Sequence, residues 1–326
     1  MTLDRRQFLQ GSAAALAFGA AAFPAAAQAI ETAKVVVGFA PGGTIDLVGR
    51  RLADKLQPGF AKVAIVENKS GAGGQIAAQA VKMAAPDGGT LLITPTSPLS
   101  LHQYTYRKLP YDPVDFTPVS GAASFDYALA VGPMVPASVK TLPDFIAWCK
   151  AHPNEANFGS AGQGSAAHFI GGAIGRLGQA DLRHVAFRGT PPAVADMIGG
   201  QIAAVVGPTG EFMSHVKAGK VRLLATSGPK RGKFTPEVPT IAEQGIRDLA
   251  YMGWYGIFLP PKASPEVVQR LNAGIRTALA APDVVESLAA AYMEPMHTPA
   301  PQLAAMLKAE NEFWAGLVKV VGFTPV

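Results

Sequence analysis

The sequence predicts an α/β protein of two domains, each built on a largely parallel sheet. Three observations carry that expectation. Short β-branched runs alternate with longer Ala-rich helical patterns, as in chains whose helices cover parallel sheets. Gly 35 and Pro 27 among 326 residues exclude a helical bundle or a coiled coil, while 49% hydrophobic content excludes disorder and supplies a sizeable core. The length suits two units of roughly 100–200 residues each.

The first segment is a processing signal and belongs to no domain. Arg5-Arg6 precedes Phe8-Leu9, an apolar run follows from Ser12 to Phe23, and Ala27-Gln28-Ala29 supplies a small-x-small cleavage pattern. The run is shorter than the ~20 residues of a membrane span. Paired arginines fit the twin-arginine route, although Asp4 stands where Ser or Thr is usual, so general secretion stays open. Residues 1–29 are expected to be removed near Ala29, giving a periplasmic chain that starts near Ile30.

The elements then follow in order. Lys34–Phe39 reads as a strand, Ile45–Leu56 as a helix, Val63–Glu67 as a strand, Gly73–Ala84 as a helix and Thr90–Thr94 as a strand. A loop rich in Thr, Ser, Pro and Tyr spans Pro95–Pro113. The pattern restarts with a strand near Ala128–Val131 and a helix capped by Thr141 through Trp148. Asn157–Ser160 is a strand, a helix begins after Gly164, and Arg183–Phe187 is a strand. Thr190-Pro191 opens another helix as N-cap and first-turn proline. Strands at Ile202–Val206, Val221–Thr226 and Tyr255–Leu259 precede two tail helices, one from Ser264-Pro265-Glu266 and one from Thr298-Pro299. Crossings near Ser120–Phe125 and Gly253 would divide the chain into residues 30–124 with 253–326, and residues 125–252.

Composition removes several function classes. The net charge of +5 is mild and its basic residues are scattered, which argues against a nucleic-acid surface. One cysteine and six dispersed histidines lack zinc-ligand spacing. Cys149, within Phe145-Ile146-Ala147-Trp148-Cys149, reads as a buried small hydrophobe.

Two strand-to-helix loops could carry chemistry. Phe39-Ala40-Pro41-Gly42-Gly43-Thr44-Ile45-Asp46 would lie at the carboxyl edge of a sheet, with free helix-start N–H groups that favour an anion. The plainer reading makes Thr44 or Asp46 a helix cap. Gly159-Ser160-Ala161-Gly162-Gln163-Gly164-Ser165-Ala166-Ala167-His168 would present the matching loop of the second domain. A rival is a secreted hydrolase with Ser165 as nucleophile and His168 as base, but the G-x-S-x-G elbow is absent and no acid completes a triad. Glu67–Gly74 and Ala85–Thr90 are turn and helix-start chemistry taken alone.

Together these segments resemble the Bug-type substrate-binding proteins of tripartite tricarboxylate transporters across essentially the whole mature chain. The resemblance runs through F-A-P-G-G-T-I-D, V-E-N-K-S-G-A-G-G, A-P-D-G-G-T-L-L, K-L-P-Y-D-P, N-F-G-S-A-G-Q-G-S-A-A-H, P-P-A-V-A-D-M-I-G-G-Q, V-P-T-I-A-E-Q-G and W-Y-G-I-F-L-P-P. It implies a type II-like, two-domain periplasmic binding protein without enzymatic activity or cofactor. That receptor, a monomer, would close on a small organic carboxylate and deliver it to membrane permease subunits; a sensing role on the same fold is the alternative. Carried over, the carboxylate would be held by Phe39, Ala40, Gly43, Thr44 and Asp46 from one loop and Ser160, Ala161, Gly164, Ser165 and His168 from the other. Two departures bear on the ligand. Phe187-Arg188-Gly189 replaces a tyrosine-lysine pair, and Gly207-Pro208-Thr209 stands where an acidic residue is often found, which argues against an amino acid; Phe187 and Thr209 are still expected to contact the ligand. With no Lys or Arg in either loop, the carboxylate would be read by geometry, and Thr96, Ser97, His102 and Tyr104 would either approach its far end or pack their own loop.

Overall fold

The computed structural model describes residues 30–326 apart from 248, 322, 324 and 326, so the expected export signal lies outside the described residues. Strand β1 (Ile30–Val37) ends in Val35-Val36-Val37, all buried, and pairs in parallel with β2 (Ala61–Asn68) and β3 (Thr90–Pro95). Helix α1 (Thr44–Leu56) buries Ile45, Val48, Leu52 and Leu56, a three-and-four-residue spacing that lays one stripe on this sheet. Helix α2 (Gln75–Lys82) starts later than Gly73, because a left-handed Gly73 (φ 62°) breaks the turn before it. The expected long loop contains a 3-10 turn at Ser97–Leu99 and the short α3 (His102–Thr105).

Strand β4 (Thr117–Val131) is far longer than the expected Ala128–Val131. Its first part pairs antiparallel with β9 (Met252–Leu259), and its last five residues pair antiparallel with β7 (Ala204–Pro208). The crossings expected near Ser120–Phe125 and Gly253 are therefore the interiors of two paired strands. They carry the chain out and back, so they run antiparallel.

Beyond them, β7 continues in parallel into β5 (Asn157–Ser160), which pairs in parallel with β6 (Arg183–Ala186). The strand order is β2-β1-β3-β9-β4-β7-β5-β6, with β8 (Arg222–Thr226) also pairing with β4. The sheet is thus parallel at its two ends and antiparallel at its centre, a correction to the largely parallel expectation. Helix α4 (Leu142–Ala151) starts with Thr141 and Asp144 forming a capping box. Helix α5 (Ala166–Leu177) lies so close to β5 that a Cβ on Gly171 would sit 2.1 Å from Phe158. Helix α6 (Thr190–Ile198) has Gly189, not Thr190, at its N-cap, and α7 (Met213–Lys217) follows a 3-10 turn at Thr209–Glu211.

The tail holds three helices in place of two. They are α8 (Pro265–Ala280), α9 (Pro282–Ala290) and α10 (Ala300–Val321), with the two-residue β10 (Glu294–Pro295) pairing with β4 between α9 and α10. Pro282 ends α8 and starts α9, a boundary that the apolar periodicity does not reveal. On α10, the fully buried Trp314 packs edge-on to Phe169 of α5 and beside Tyr251. Among the described residues, no helix is long and apolar enough to cross a membrane.

Candidate ligand-binding site

Five strands end at one place. Beyond β1 come Phe39, Ala40 and Gly43; beyond β3, Ser97; beyond β5, Ala161 and Ser165; beyond β6, Thr190 and Pro191; and beyond β7, Glu211. With Pro95, Tyr127, Pro208 and Tyr255 they line a cavity of about 50 Å³ between the two ends of the sheet. At ~10–15 Å³ per water this is room for roughly three to five water molecules. Ligands of open α/β sheets bind at this carboxyl edge. No lysine or arginine lines the cavity among the described residues.

The two ends of the sheet touch around the cavity. The Ala40 N–H donates to the Arg188 carbonyl (3.1 Å), the Ala166 N–H to Ser97 Oγ (3.0 Å), and Tyr106 Oη to the Gln163 carbonyl (2.8 Å). Glycines permit the closest approach: a Cβ on Gly162 would lie 2.6 Å from Gly73 Cα.

The N-terminus of α1 is capped from the other end of the sheet. Gly43 is its N-cap and provides no side chain. Glu211 Oε1 instead accepts from the Thr44 N–H (2.7 Å) and from Thr44 Oγ1 (2.9 Å), while Thr44 Oγ1 also meets Tyr255 Oη at 2.7 Å. Burial pushes the Glu211 carboxyl up to about 7, and the two Thr44 bonds pull the other way. The anion at this helix start is thus one that the chain itself supplies. The absence of a carboxylate read from Gly207-Pro208-Thr209 is corrected by Glu211, two residues further on. The signal was a lone Glu between short turns, with nothing in the pattern to aim it.

Of the residues the sequence singled out, Phe39, Ala40, Gly43, Ser97, Ala161 and Ser165 line the cavity. Thr44 stands immediately behind Glu211. The others face elsewhere. Asp46 accepts from the Gly42 N–H, Arg50 and Asn68; burial raises its pKa, but these bonds outweigh burial and hold it below the usual carboxylate range. Asn68 Nδ2 also donates to the Phe39 carbonyl (3.1 Å), so this cluster fixes the shape of the first loop. Ser160 Oγ meets His184 Nε2 at 2.7 Å beneath the second loop. Gly164 donates its N–H to His168 Nδ1 (3.0 Å), and His168 stacks on His184 with ring centroids 3.8 Å apart. Phe187 packs near Gly159, and Thr209 Oγ1 donates to Asp126 Oδ1 (2.8 Å).

The hydrolase geometry is not assembled. Ser165 Oγ donates to the Gly162 carbonyl (2.9 Å) and accepts from the His168 backbone N–H (3.2 Å), which makes it an N-cap. His168 Nδ1 accepts from the Gly164 N–H, and burial lowers the ring's pKa to about 4. The group read as either far-end contacts or loop packing divides between the two. Thr96 and Tyr104 are bonded to Glu310 and Asn311 of α10, and His102 is wholly buried behind Gly73. Only Ser97 of that group reaches the cavity. Among the described residues, no cluster of three or more His, Cys, Asp or Glu side chains could hold a metal.

Comparison with known proteins agrees with this architecture. A family model described as tripartite tricarboxylate transporter family receptor matches residues 48–323. BugT of Bordetella pertussis is 32% identical over 291 residues, 89% of each chain. A Rhodopseudomonas palustris protein solved with adipate superposes with a TM-score of 0.86 at 26% identity, covering 91% of this chain and 99% of its own. MatC from the same organism, solved with bound malate, superposes at 0.82 with 29% identity over 89% of this chain and 99% of its own. On the extent of that match, the chain belongs to the receptor family of the tripartite tricarboxylate transporters.

Proposed function

We propose that this receptor binds a small mono- or dicarboxylate in the cavity between the two ends of the sheet and presents it to membrane permease subunits. It works as a periplasmic monomer after loss of residues 1–29, without catalysis, metal or cofactor. Residues 30–124 with 253–326 move as one body and 125–252 as the other.

One observation carries the reading: loops from both ends of the sheet line the cavity with small and hydroxyl-bearing residues such as Gly43, Ala161, Ser97, Ser165 and Thr190, and with no cationic side chain among the described residues. A carboxylate leaving water needs several hydrogen bonds, and such loops supply them without a buried counter-charge. Its small size suits one carboxyl group and its bridging waters, which hold a ligand at modest cost. Because the walls come from both bodies, contacts to the ligand stabilise the closed state selectively. The adipate and malate held by the two R. palustris relatives are ligands of this class.

A thermal-shift panel of C2 to C8 organic acids, aromatic acids, sugars, amino acids and divalent metals tests it. A ligand at ~100 times its Kd stabilises the native state by about 2.7 kcal/mol, a shift of several degrees. A clear shift with a sugar or a metal and none with any acid would sink the assignment.

A further inference from the structure

We propose that Glu211 binds a proton as the cavity fills, so that its carboxylic acid donates a hydrogen bond to the bound carboxylate. This rests on the carboxylate reading above and adds to it a proton stoichiometry and a pH dependence.

The geometry sets the problem. Glu211 lines the cavity, and a ligand carboxylate there would face a second carboxylate with no lysine or arginine in the lining among the described residues. Like charges at close quarters in a low-dielectric site do not both stay ionised. The groups packed against Glu211 offer no countercharge. Thr44 bonds directly to it, Tyr255 bonds in turn to Thr44 Oγ1, and Tyr127 lines the same cavity. Asp46 on the same helix is held by Arg50, Asn68 and the Gly42 N–H. His215, Lys217 and Tyr292 line an outer cavity that Glu211 also borders, and among the described residues none of the three pairs with Glu211.

The hydrogen-bond pattern provides the answer. Oε1 already accepts from the Thr44 N–H and Oγ1, bonds that a protonated acid keeps at its carbonyl oxygen. Among the described residues, Oε2 has no hydrogen-bond partner. A proton from solvent placed on Oε2 converts it from a second repelling oxygen into a donor. Burial pushes this carboxyl up to about 7 before any ligand is considered, and an adjacent anion moves it further in the same direction.

The rival chemistry is an ionised Glu211 that accepts from a ligand ammonium. It differs in one observable: a zwitterionic amino acid would bind without taking up a proton.

The probe is whichever of adipate, malate, succinate and benzoate shifts the melting temperature most, all being fully ionised above pH 7. Calorimetry at pH 8 in buffers of different ionisation enthalpy should show uptake of about 0.9 proton per ligand or more, given a carboxyl that titrates at or below about 7 in the free protein. The affinity of the natural chain should fall about eight- to tenfold between pH 7.5 and 8.5. Glu211→Gln presents an amide donor at every pH, so its affinity should be flat over that range and its proton uptake absent. Binding of an acid with no proton uptake, or equal pH slopes in the two proteins, overturns the proposal and leaves the receptor reading standing. Binding of none of the four acids, with a shift from an amino acid alone, overturns both.

Discussion

Tyr106→Phe isolates closure from ligand contact. Tyr106 precedes β4 and is not part of the cavity lining, yet its hydroxyl donates to the Gln163 carbonyl across the junction at 2.8 Å. Removing one oxygen deletes that bond and leaves the ring in place, edge-on to His102 at 5.0 Å. On the proposed two-body motion, water satisfies both groups when the bodies are apart, so the loss falls on the closed state alone. A net hydrogen bond is worth about 0.5–1.5 kcal/mol, which translates to roughly 2- to 12-fold weaker binding. Calorimetric titration of the best acid should show that loss. The melting temperature without ligand should stay within about a degree of the unaltered chain's, as closure contributes nothing there. Unchanged affinity, or a drop in ligand-free stability as large as the drop in binding, would refute the claim that this contact forms on closure.

Other substitutions probe other links. Gly43→Val places a Cβ 3.0 Å from Glu211 Oε1 and should weaken binding roughly 100-fold or more by displacing the Thr44–Glu211 contact, with the circular dichroism unaltered because the Gly43 backbone (φ −81°) accepts any residue; near-normal affinity would contradict it. Ser165→Ala should cost about 0.5–1.5 kcal/mol of binding by loosening the α5 cap, and ester turnover that vanishes in this variant would contradict the receptor reading. Glu310→Ala should lower unfolding free energy in urea by on the order of 3 kcal/mol, since Tyr251 Oη (2.7 Å), Trp314 Nε1 (3.0 Å) and the Thr96 hydroxyl lose their common acceptor; a change below 1 kcal/mol would show they find other partners. Burial, with the neighbouring His168 second, holds His184 near 3, below the usual 6.5, so its contribution is full above pH 6.5 and is lost as pH falls towards 3. His184→Gln should flatten the decline in urea stability between pH 6.5 and 5 by up to about 1.4 kcal/mol per pH unit, and equal slopes would contradict the assignment.

The end sheets and both loops were legible because they are local. Val35-Val36-Val37, the Gly-Gly before α1 and the Ser165 start of α5 each declare themselves within a few residues. The middle of the sheet was not, because β4 carries Pro118, Ser120, Gly121 and four alanines, with little β-branched character. Only its pairing with β9 makes it a strand. The Pro282 break in the tail was hidden for a related reason, as apolar spacing continues on both sides of it. Glu211 was illegible for a third: it caps a helix more than 160 residues away, and sequence spacing says nothing about such contacts. Loops that look like a binding site were found, but half the residues assigned to them turn inward to hold the loops' own shape. Asp46, Ser160 and His168 are of this kind, because polar groups under a loop must be satisfied before any can be turned towards a ligand.

The most direct test is a crystal structure with the best-binding acid. One carboxyl group should lie in the cavity bounded by Ala40, Gly43, Ser97, Ala161 and Ser165, within hydrogen-bond reach of Glu211, directly or through one water, and with the Ala40–Arg188 and Tyr106–Gln163 bonds formed. An acid found outside that cavity, or held there with those cross-junction bonds broken, would contradict this expectation.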